Sequence, residues 1–251
     1  MNANMQLDGK VAIVTGGSRG IGKAIAAVFA REGATTVICG RKQETLDVVA
    51  RELGNRVVPF ACHVGKPEEL SRLVDKVTGD LGHIDILVNN AATNVAQGQA
   101  LAIDDGQFDK MIEVNLKSAF RLTRLVAPGM CRRGSGSIIN ISSISGLRPQ
   151  FEGMLYSTTK AALIMMTKCY ALELGPQGVR VNAIAPGLIR TVLSEYYWKD
   201  EARLAERLEH QPIKHLGRPE EIAEIALMLA GDKASYLTGQ VITVDGGATI
   251  A

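Results

Sequence analysis

Tyr156 and Lys160 stand four residues apart in the stretch Tyr-Ser-Thr-Thr-Lys. On a helix that spacing puts both side chains on one face, one turn apart. A free phenol has a pKa of about 10, too high for easy proton exchange at neutral pH. A cation beside the phenolate favours the ionised form and lowers that value. The pair is therefore a candidate proton-transfer device. A second constellation sits near the amino terminus, in "TGGSRGIG" from Thr15 to Gly22. An apolar run leads into these glycines and a helical pattern follows them. Such a turn lets backbone approach a phosphate, and the helix start offers unpaired N–H groups and a positive dipole end. The spacing, Gly16-x3-Gly20-x-Gly22, departs from the usual GxGxxG of dinucleotide sites.

The end of the second apolar run bears on which dinucleotide would fit. Sites for NAD usually carry an acid there to accept the adenosine 2′-hydroxyl. This chain reads "VICGRKQE", with Gly40-Arg41-Lys42 and no acid before Glu44. Arg41, together with Arg19 in the glycine turn, could flank a 2′-phosphate with two rigid forks of donors. NADP is therefore expected over NAD.

These groups need a scaffold. Short apolar runs at Lys10–Thr15, Thr35–Cys39, Arg56–Cys62, Ile84–Asn89, Gly136–Ser142, Val179–Ala185 and Gln240–Asp245 read as strands buried on both faces. Helical patterns alternate with them at Ile21–Arg31, Lys42–Leu53, Pro67–Leu81, Asp104–Arg132, Leu155–Leu174 and Pro219–Ala230. Gly33, Gly54, Gly82 and Gly175 are expected helix stops. The alternation predicts an α/β fold: a doubly wound, parallel, seven-stranded sheet with helices on both faces, as one Rossmann-like domain over residues 1–251. Residues 188–216 break the rhythm with charge and the aromatic cluster Tyr196-Tyr197-Trp198. Following a late strand, that stretch is expected to be a lid over the site.

Composition excludes other classes. A net charge of +2 in 251 residues gives no electrostatic case for nucleic acid or an anionic membrane surface. No apolar stretch is long enough to span a membrane, and the amino-terminal "MNANMQLDGK" has no apolar core of a signal peptide. Cys39, Cys62, Cys131 and Cys169 form no CxxC pair or Cys/His metal spacing. A reducing, cytoplasmic setting and no metal are expected.

The order of seven short motifs resembles the short-chain dehydrogenases/reductases, from about Leu7 to Gly247. They are "TGGSRGIG", "NNAA" at Asn89–Ala92, Asn115 in "VNLKS", Ser143 in "ISSISG", "YSTTK", "APG" at Ala185–Gly187 and "VDGG" at Val244–Gly247. The resemblance implies hydride transfer between a nicotinamide cofactor and a carbonyl or alcohol. It implies Tyr156 as general acid/base, Lys160 as its electrostatic partner and ribose ligand, and Ser143, ahead of Ser142 or Ser145, as the group steadying the substrate oxygen. It gives Asn115 the ordering of a relay water. It places Gly16, Ser18, Arg19, Gly20, Ile21 and Gly22 near the phosphates, and Val64, Asn90 and Ala91 near the adenosine. Pro186, Gly187, Ile189 and Thr191 fall around the nicotinamide. His63 stands where the family commonly has an acid accepting from the adenine amino group, and as a neutral ring it could accept one bond or simply pack.

Within the family the motifs look most like NADPH-dependent carbonyl reductases of the dehydrogenase/reductase member 4 type. An alternative is a 3-oxoacyl-(acyl-carrier-protein) reductase, and one from another class is a non-catalytic NADP sensor. The resemblance implies a homotetramer. Ile144, Leu147, Gln150, Phe151, Asn94, Leu193 and Tyr197 are expected substrate contacts. Mostly apolar, with no cation among them, they point to an uncharged, fairly hydrophobic ketone or secondary alcohol.

Overall fold

The structure is a computed structural model that describes residues 5–251. Residues 1–4, part of the amino-terminal stretch expected to lack a targeting core, lie outside the described residues. Seven parallel strands form one sheet in the order β3-β2-β1-β4-β5-β6-β7, as the alternation predicted. They are β1 (Val11–Thr15), β2 (Thr35–Gly40), β3 (Val57–Ala61), β4 (Ile86–Asn89), β5 (Gly136–Ile141), β6 (Val179–Pro186) and β7 (Val241–Val244). The central strands β1 and β4 are buried at every position, which is why they read as unbroken apolar runs. The edge strands β3 and β7 are partly exposed.

Helices cover both faces because each buries one apolar stripe against the sheet. On one face α1 (Gly20–Arg31) and α9 (Pro219–Ala230) meet through Ile25, Val28, Phe29, Ile222 and Ala226. The other face carries α3 (Pro67–Leu81), α5 (Ser118–Arg133) and α6 (Met154–Leu174), with Leu70, Leu73, Leu122 and Val126 in its core. Helix α2 (Gln43–Leu53) closes the β2–β3 end through Leu46 and Val49.

Sheet order reverses between β1 and β4, so the loops leaving these two strands part and open a crevice at their carboxyl ends. The helix expected over Asp104–Arg132 is interrupted. Helix α4 (Asp105–Ile112) passes through a π-helical turn, Glu113–Lys117, before α5 begins. The residue this turn presents is Asn115. Gly54 and Gly82 end their helices with positive φ, but Gly175 does not (φ −55°); the left-handed stop is Gly178, three residues on. The stretch 188–216 contains the short helices α7 (Glu195–Trp198) and α8 (Glu201–Glu209).

Candidate active site

The glycine turn is held open by hydrogen bonds from across the crevice. Thr15 Oγ1 accepts from the main-chain N–H groups of Asn90 and Ala91, both at 2.9 Å. The Asn90 side-chain amide donates to the carbonyls of Thr15 (2.7 Å) and Gly16 (3.3 Å). Gly16 and Gly20 have φ of +67° and +55°, a region costly for other residues. A Cβ at Gly22 would stand 2.4 Å from the Gly16 carbonyl oxygen, and one at Gly16 would stand 2.9 Å from Asn90 Nδ2. The cradle therefore exists only as glycine. Gly17, not among the expected contacts, is a packing glycine whose Cβ would lie 2.7 Å from Ile38. No side chain caps the start of α1, so its first N–H groups are unclaimed by any cap. Backbone donors, a dipole end and a Cβ-free surface together fit a dinucleotide diphosphate.

The adenosine side offers charge. Arg19 and Arg41 are exposed, and neither forms an ion pair or side-chain hydrogen bond among the described residues. The Ser18 hydroxyl lies beside Gly40, where a Cβ would be 3.7 Å away. His63 is bonded within its own loop. Its Nδ1 accepts from the Gly65 N–H at 3.1 Å, and its main-chain N–H donates to Glu69 Oε2 at 2.7 Å. A neutral ring whose Nδ1 accepts carries its proton on Nε2. Nδ1 is thus engaged inside the loop. The Val64 side chain is buried in the core, so contact with a ligand would come from its main chain.

Helix α6 carries Tyr156 and Lys160 on one face. Lys160 Nζ donates to the Ile141 carbonyl at the end of β5 (2.8 Å) and sits 5.6 Å from the centre of the Tyr156 ring. Ser143 caps the 3₁₀ turn Ile144–Gly146, its Oγ accepting from the Ser145 N–H at 3.1 Å. The neighbouring hydroxyls are spent elsewhere: Ser142 Oγ donates to the Lys160 carbonyl (3.0 Å) and Ser145 Oγ to Gln150 Oε1 (2.9 Å). The Ser143 hydroxyl faces the Tyr156 phenol.

The turn and the helix touch at backbone level, since a Cβ on Gly146 would stand 2.7 Å from the Lys160 carbonyl carbon. Gly146→Ala is therefore expected to push Ser143 away from Tyr156 and to destabilise the fold by about 1–3 kcal/mol, the usual range for overpacking. Denaturant melts and kcat measured together check this; a variant equal to the parent in both would refute the close contact.

Asn115 is braced rather than free. Its Oδ1 accepts from Thr93 N–H (2.8 Å), and its Nδ2 donates to Thr93 O (2.9 Å) and Thr159 Oγ1 (3.2 Å). Both amide hydrogens and one lone pair are thus committed to protein. One lone pair of Oδ1 is left without a protein partner.

Burial dominates the electrostatics here. It pushes the Tyr156 phenol up to about 12, with the Ser143 hydroxyl pulling down and the Tyr197 phenol pushing up. It pushes the Lys160 ammonium down to about 8. The sequence argument expected Lys160 to lower the phenol. In the protein alone desolvation outweighs that effect, and it drives the lysine itself toward neutrality.

Ser143, Tyr156 and Lys160 line one cavity of about 180 Å³ with Ile21, Pro186 and Gly187. Ile189 and Thr191 close it further along. The Gly187 loop rests on the turn after β7: a Cβ at Gly187 would stand 2.7 Å from Asp245 Cα, and Asp245 holds that turn by accepting from Gly247 and Thr249 N–H groups at 3.0 and 2.8 Å. Of the expected substrate contacts, Asn94, Ile144, Gln150, Leu193 and Tyr197 line the cavity. Leu147 and Phe151 do not; they point outward, 48 % and 85 % exposed. Gln150 Nε2 hydrogen-bonds the Tyr197 hydroxyl, fastening α7 over the opening. Trp198 instead donates to Thr191 O at 3.0 Å and packs its own loop.

Among the cavity residues that the sequence reading did not place at the site, one is charged: Arg207, on α8. A larger cavity of about 570 Å³ lies at the opposite end of the strands, by Lys10, Asp85 and Arg180, away from all these groups. Among the described residues no group of three or more His, Cys, Asp or Glu side chains is gathered as a metal ion would need.

Comparison with known proteins agrees with this layout. The family model described as Enoyl-(Acyl carrier protein) reductase matches residues 16–249. A dehydrogenase/reductase SDR family member 4 from Oryctolagus cuniculus is 42% identical over 246 residues, 96% of this chain and 94% of the relative. A 3-oxoacyl-(acyl-carrier-protein) reductase from Thermotoga maritima is 39% identical over 249 residues, 98% of this chain and 100% of the relative. Among solved structures, a short-chain type dehydrogenase/reductase from Mycobacterium marinum superposes with a TM-score of 0.93 at 36% identity, covering 99% of this chain and 98% of that one. With near full-length identity added to the sheet order and the crevice, the chain belongs to the short-chain dehydrogenase/reductase family, as an NAD(P)-dependent oxidoreductase of carbonyl and alcohol groups.

Proposed function

We propose that this enzyme moves a hydride between NADP(H) and a ketone or secondary alcohol whose reacting end is uncharged and fairly hydrophobic, with Tyr156 as general acid/base. The observation that carries the reading is the convergence of the Ser143 hydroxyl, the Tyr156 phenol and the Lys160 ammonium on one cavity. The nicotinamide, when bound, supplies the hydride to the carbonyl carbon. Ser143 donates a hydrogen bond to the carbonyl oxygen and steadies its developing charge. Tyr156 gives that oxygen its phenolic proton, leaving an alcohol and a phenolate that Lys160 stabilises. Lys160 also holds the nicotinamide ribose, and Asn115 keeps the Thr93 segment registered against α6. Residues 188–216 act as the lid.

NADP is favoured over NAD by the two free arginines at the end of β2 and the start of α1. Arg19→Ala combined with Arg41→Asp is expected to raise KM for NADPH about 10–100-fold, the equivalent of losing 1.5–3 kcal/mol of charged hydrogen bonding, and to lower KM for NADH. Initial rates with both cofactors decide it. Equal use of NADH by the parent enzyme would overturn the assignment.

The runner-up is a 3-oxoacyl-(acyl-carrier-protein) reductase, supported by the similarity to the Thermotoga reductase of that kind. A β-ketoacyl thioester beside an aromatic diketone in one NADPH assay separates the two. A chain that binds NADP and turns over nothing would be a sensor instead. Exposed Phe120 and Leu125 on α5 and Met165 and Leu172 on α6 support assembly of identical subunits through these helices, as a tetramer. Free cysteines support the cytoplasm as its compartment. No helix among the described residues is long and apolar enough to cross a membrane.

A further inference from the structure

Two of the cavity's polar groups without a protein partner lie outside the reacting set and the glycine turn. One is Asn94 Oδ1, buried and unpaired although the same amide donates to Gln97 at 3.1 Å. The other is the Arg207 guanidinium. Of the other cations of the lid and its flank, Lys199 pairs with Glu195 (2.9 Å), Arg218 with Glu221 (3.5 Å), Arg203 donates to the Tyr196 carbonyl (3.3 Å) and Lys214 to the Leu208 carbonyl (3.1 Å). The Arg190 side chain also lacks a polar partner among the described residues, but it stacks on Trp198 and does not line the cavity, whereas Arg207, an exposed residue, does. Arg207 has no ion pair and no hydrogen bond among the described residues. Its one recorded contact is the face of Tyr197, 5.0 Å from guanidinium to ring centre.

That contact fixes where the charge points. Tyr197 is itself held by Gln150, and Gln150 by Ser145, whose N–H donates to Ser143 Oγ. A guanidinium stacked on a ring fastened to the serine turn keeps its in-plane N–H donors free. Such a fork suits a carboxylate, which accepts two parallel bonds.

Building on the carbonyl reading above, we propose that Arg207 is a specificity-determining residue and that preferred substrates are small ketones, or the corresponding alcohols, carrying a carboxylate on the side away from the reacting carbonyl. The carbonyl end meets Ser143, Tyr156 and the apolar wall of Ile144 and Leu193. The carboxylate meets Arg207 at the mouth.

The test compares 4-acetylbenzoate with its methyl ester, two ketones of one skeleton that differ in charge. For the parent enzyme with NADPH, KM is expected to be at least tenfold lower for the acid, with an advantage that shrinks as salt is raised. Arg207→Met should raise KM for the acid at least ten times more than for the ester, with kcat much less affected, and Arg207→Lys should restore part of the difference. A parent that prefers the ester, or an Arg207→Met that weakens both alike, would show that the residue only packs Tyr197. Calorimetric titration of parent and Arg207→Met with 4-acetylbenzoate runs alongside. If neither ketone is turned over, the carbonyl reading fails, and the binding difference still judges Arg207: tenfold weaker binding by the variant supports it and equal binding refutes it.

Discussion

Replacing Tyr156 with phenylalanine is expected to lower kcat by about 10³-fold or more while leaving the fold and dinucleotide binding intact. Positioned proton transfer contributes about 10²–10⁴ to rate, and no other phenol or acid on the cavity wall can replace this one. Tyr197 is the other cavity phenol, and its hydroxyl is taken by Gln150. The ring of Tyr156 remains to fill the buried space, and only a hydroxyl facing Ser143 is lost, so stability should change little. The pH profile adds a second check. With the phenol pushed up to about 12, it is fully protonated at neutral pH and ready to act as an acid. Lys160, at about 8, loses its charge as pH rises through that value. The parent's reduction rate should therefore fall above about pH 8, and alcohol oxidation, which needs the phenolate, should climb with pH. Stopped-flow and steady-state rates for both directions provide the comparison. A Tyr156→Phe enzyme within tenfold of the parent would mean that the proton comes from elsewhere.

Patterning and chemistry were legible in the sequence to different depths. All seven strands could be read because a doubly covered parallel sheet demands continuous apolar runs, and β1 and β4 are buried at every position. The glycine turn could be read because strand, glycines and helix are contiguous. Gly17 escaped notice because its reason, Ile38 across the sheet, lies far off in the chain. The π turn at Glu113–Lys117 escaped notice because it carries no Gly or Pro and both flanking segments are helical. What braces Asn115 there comes from Thr93 and Thr159, neither of them near in sequence. The same limit applies to His63: only folding shows that Gly65 has claimed its Nδ1. Phe151 and Leu147 follow Ser143 closely, yet chain proximity does not say which side of a 3₁₀ turn a side chain leaves from. Arg207 had a faint signal, because Arg203 and Arg207 are one helical turn apart just after two adjacent tyrosines, and each now stacks on one of them. The burial that raises the Tyr156 phenol in the protein alone could not be read, because a spacing reveals a neighbour's charge but not how deeply both groups are buried.

That depth leads to the last expectation: Lys160→Met should abolish most activity yet make the protein more stable at neutral pH. Lys160 is 2 % exposed and has one recorded partner for its ammonium, the Ile141 carbonyl. Its pKa falls from 10.5 to about 8 on folding, because the charged form loses water that one carbonyl does not replace. A shift of that size corresponds to about 3 kcal/mol of destabilisation by the charged lysine. The sign follows from proton counts. Below pH 8 both folded and unfolded chains hold the proton, and the full penalty applies. Between 8 and 10.5 the unfolded chain binds more protons, so stability rises with pH until the penalty is gone. Methionine has a similar unbranched stem and no charge, and it gives up one hydrogen bond worth about 1 kcal/mol. The variant should gain about 2 kcal/mol at pH 7, or about 4–8 °C in Tm for a chain of this size. The gain should vanish by about pH 10.5, where the parent's lysine is neutral as well. Turnover should fall at least 10²-fold, since the phenolate loses its cation and the nicotinamide ribose its ligand. Melting curves of both proteins at pH 7, 9 and 10.5 test the account. A variant less stable than the parent at pH 7, or one whose difference ignores pH, would mean that the ammonium is better solvated than its burial implies.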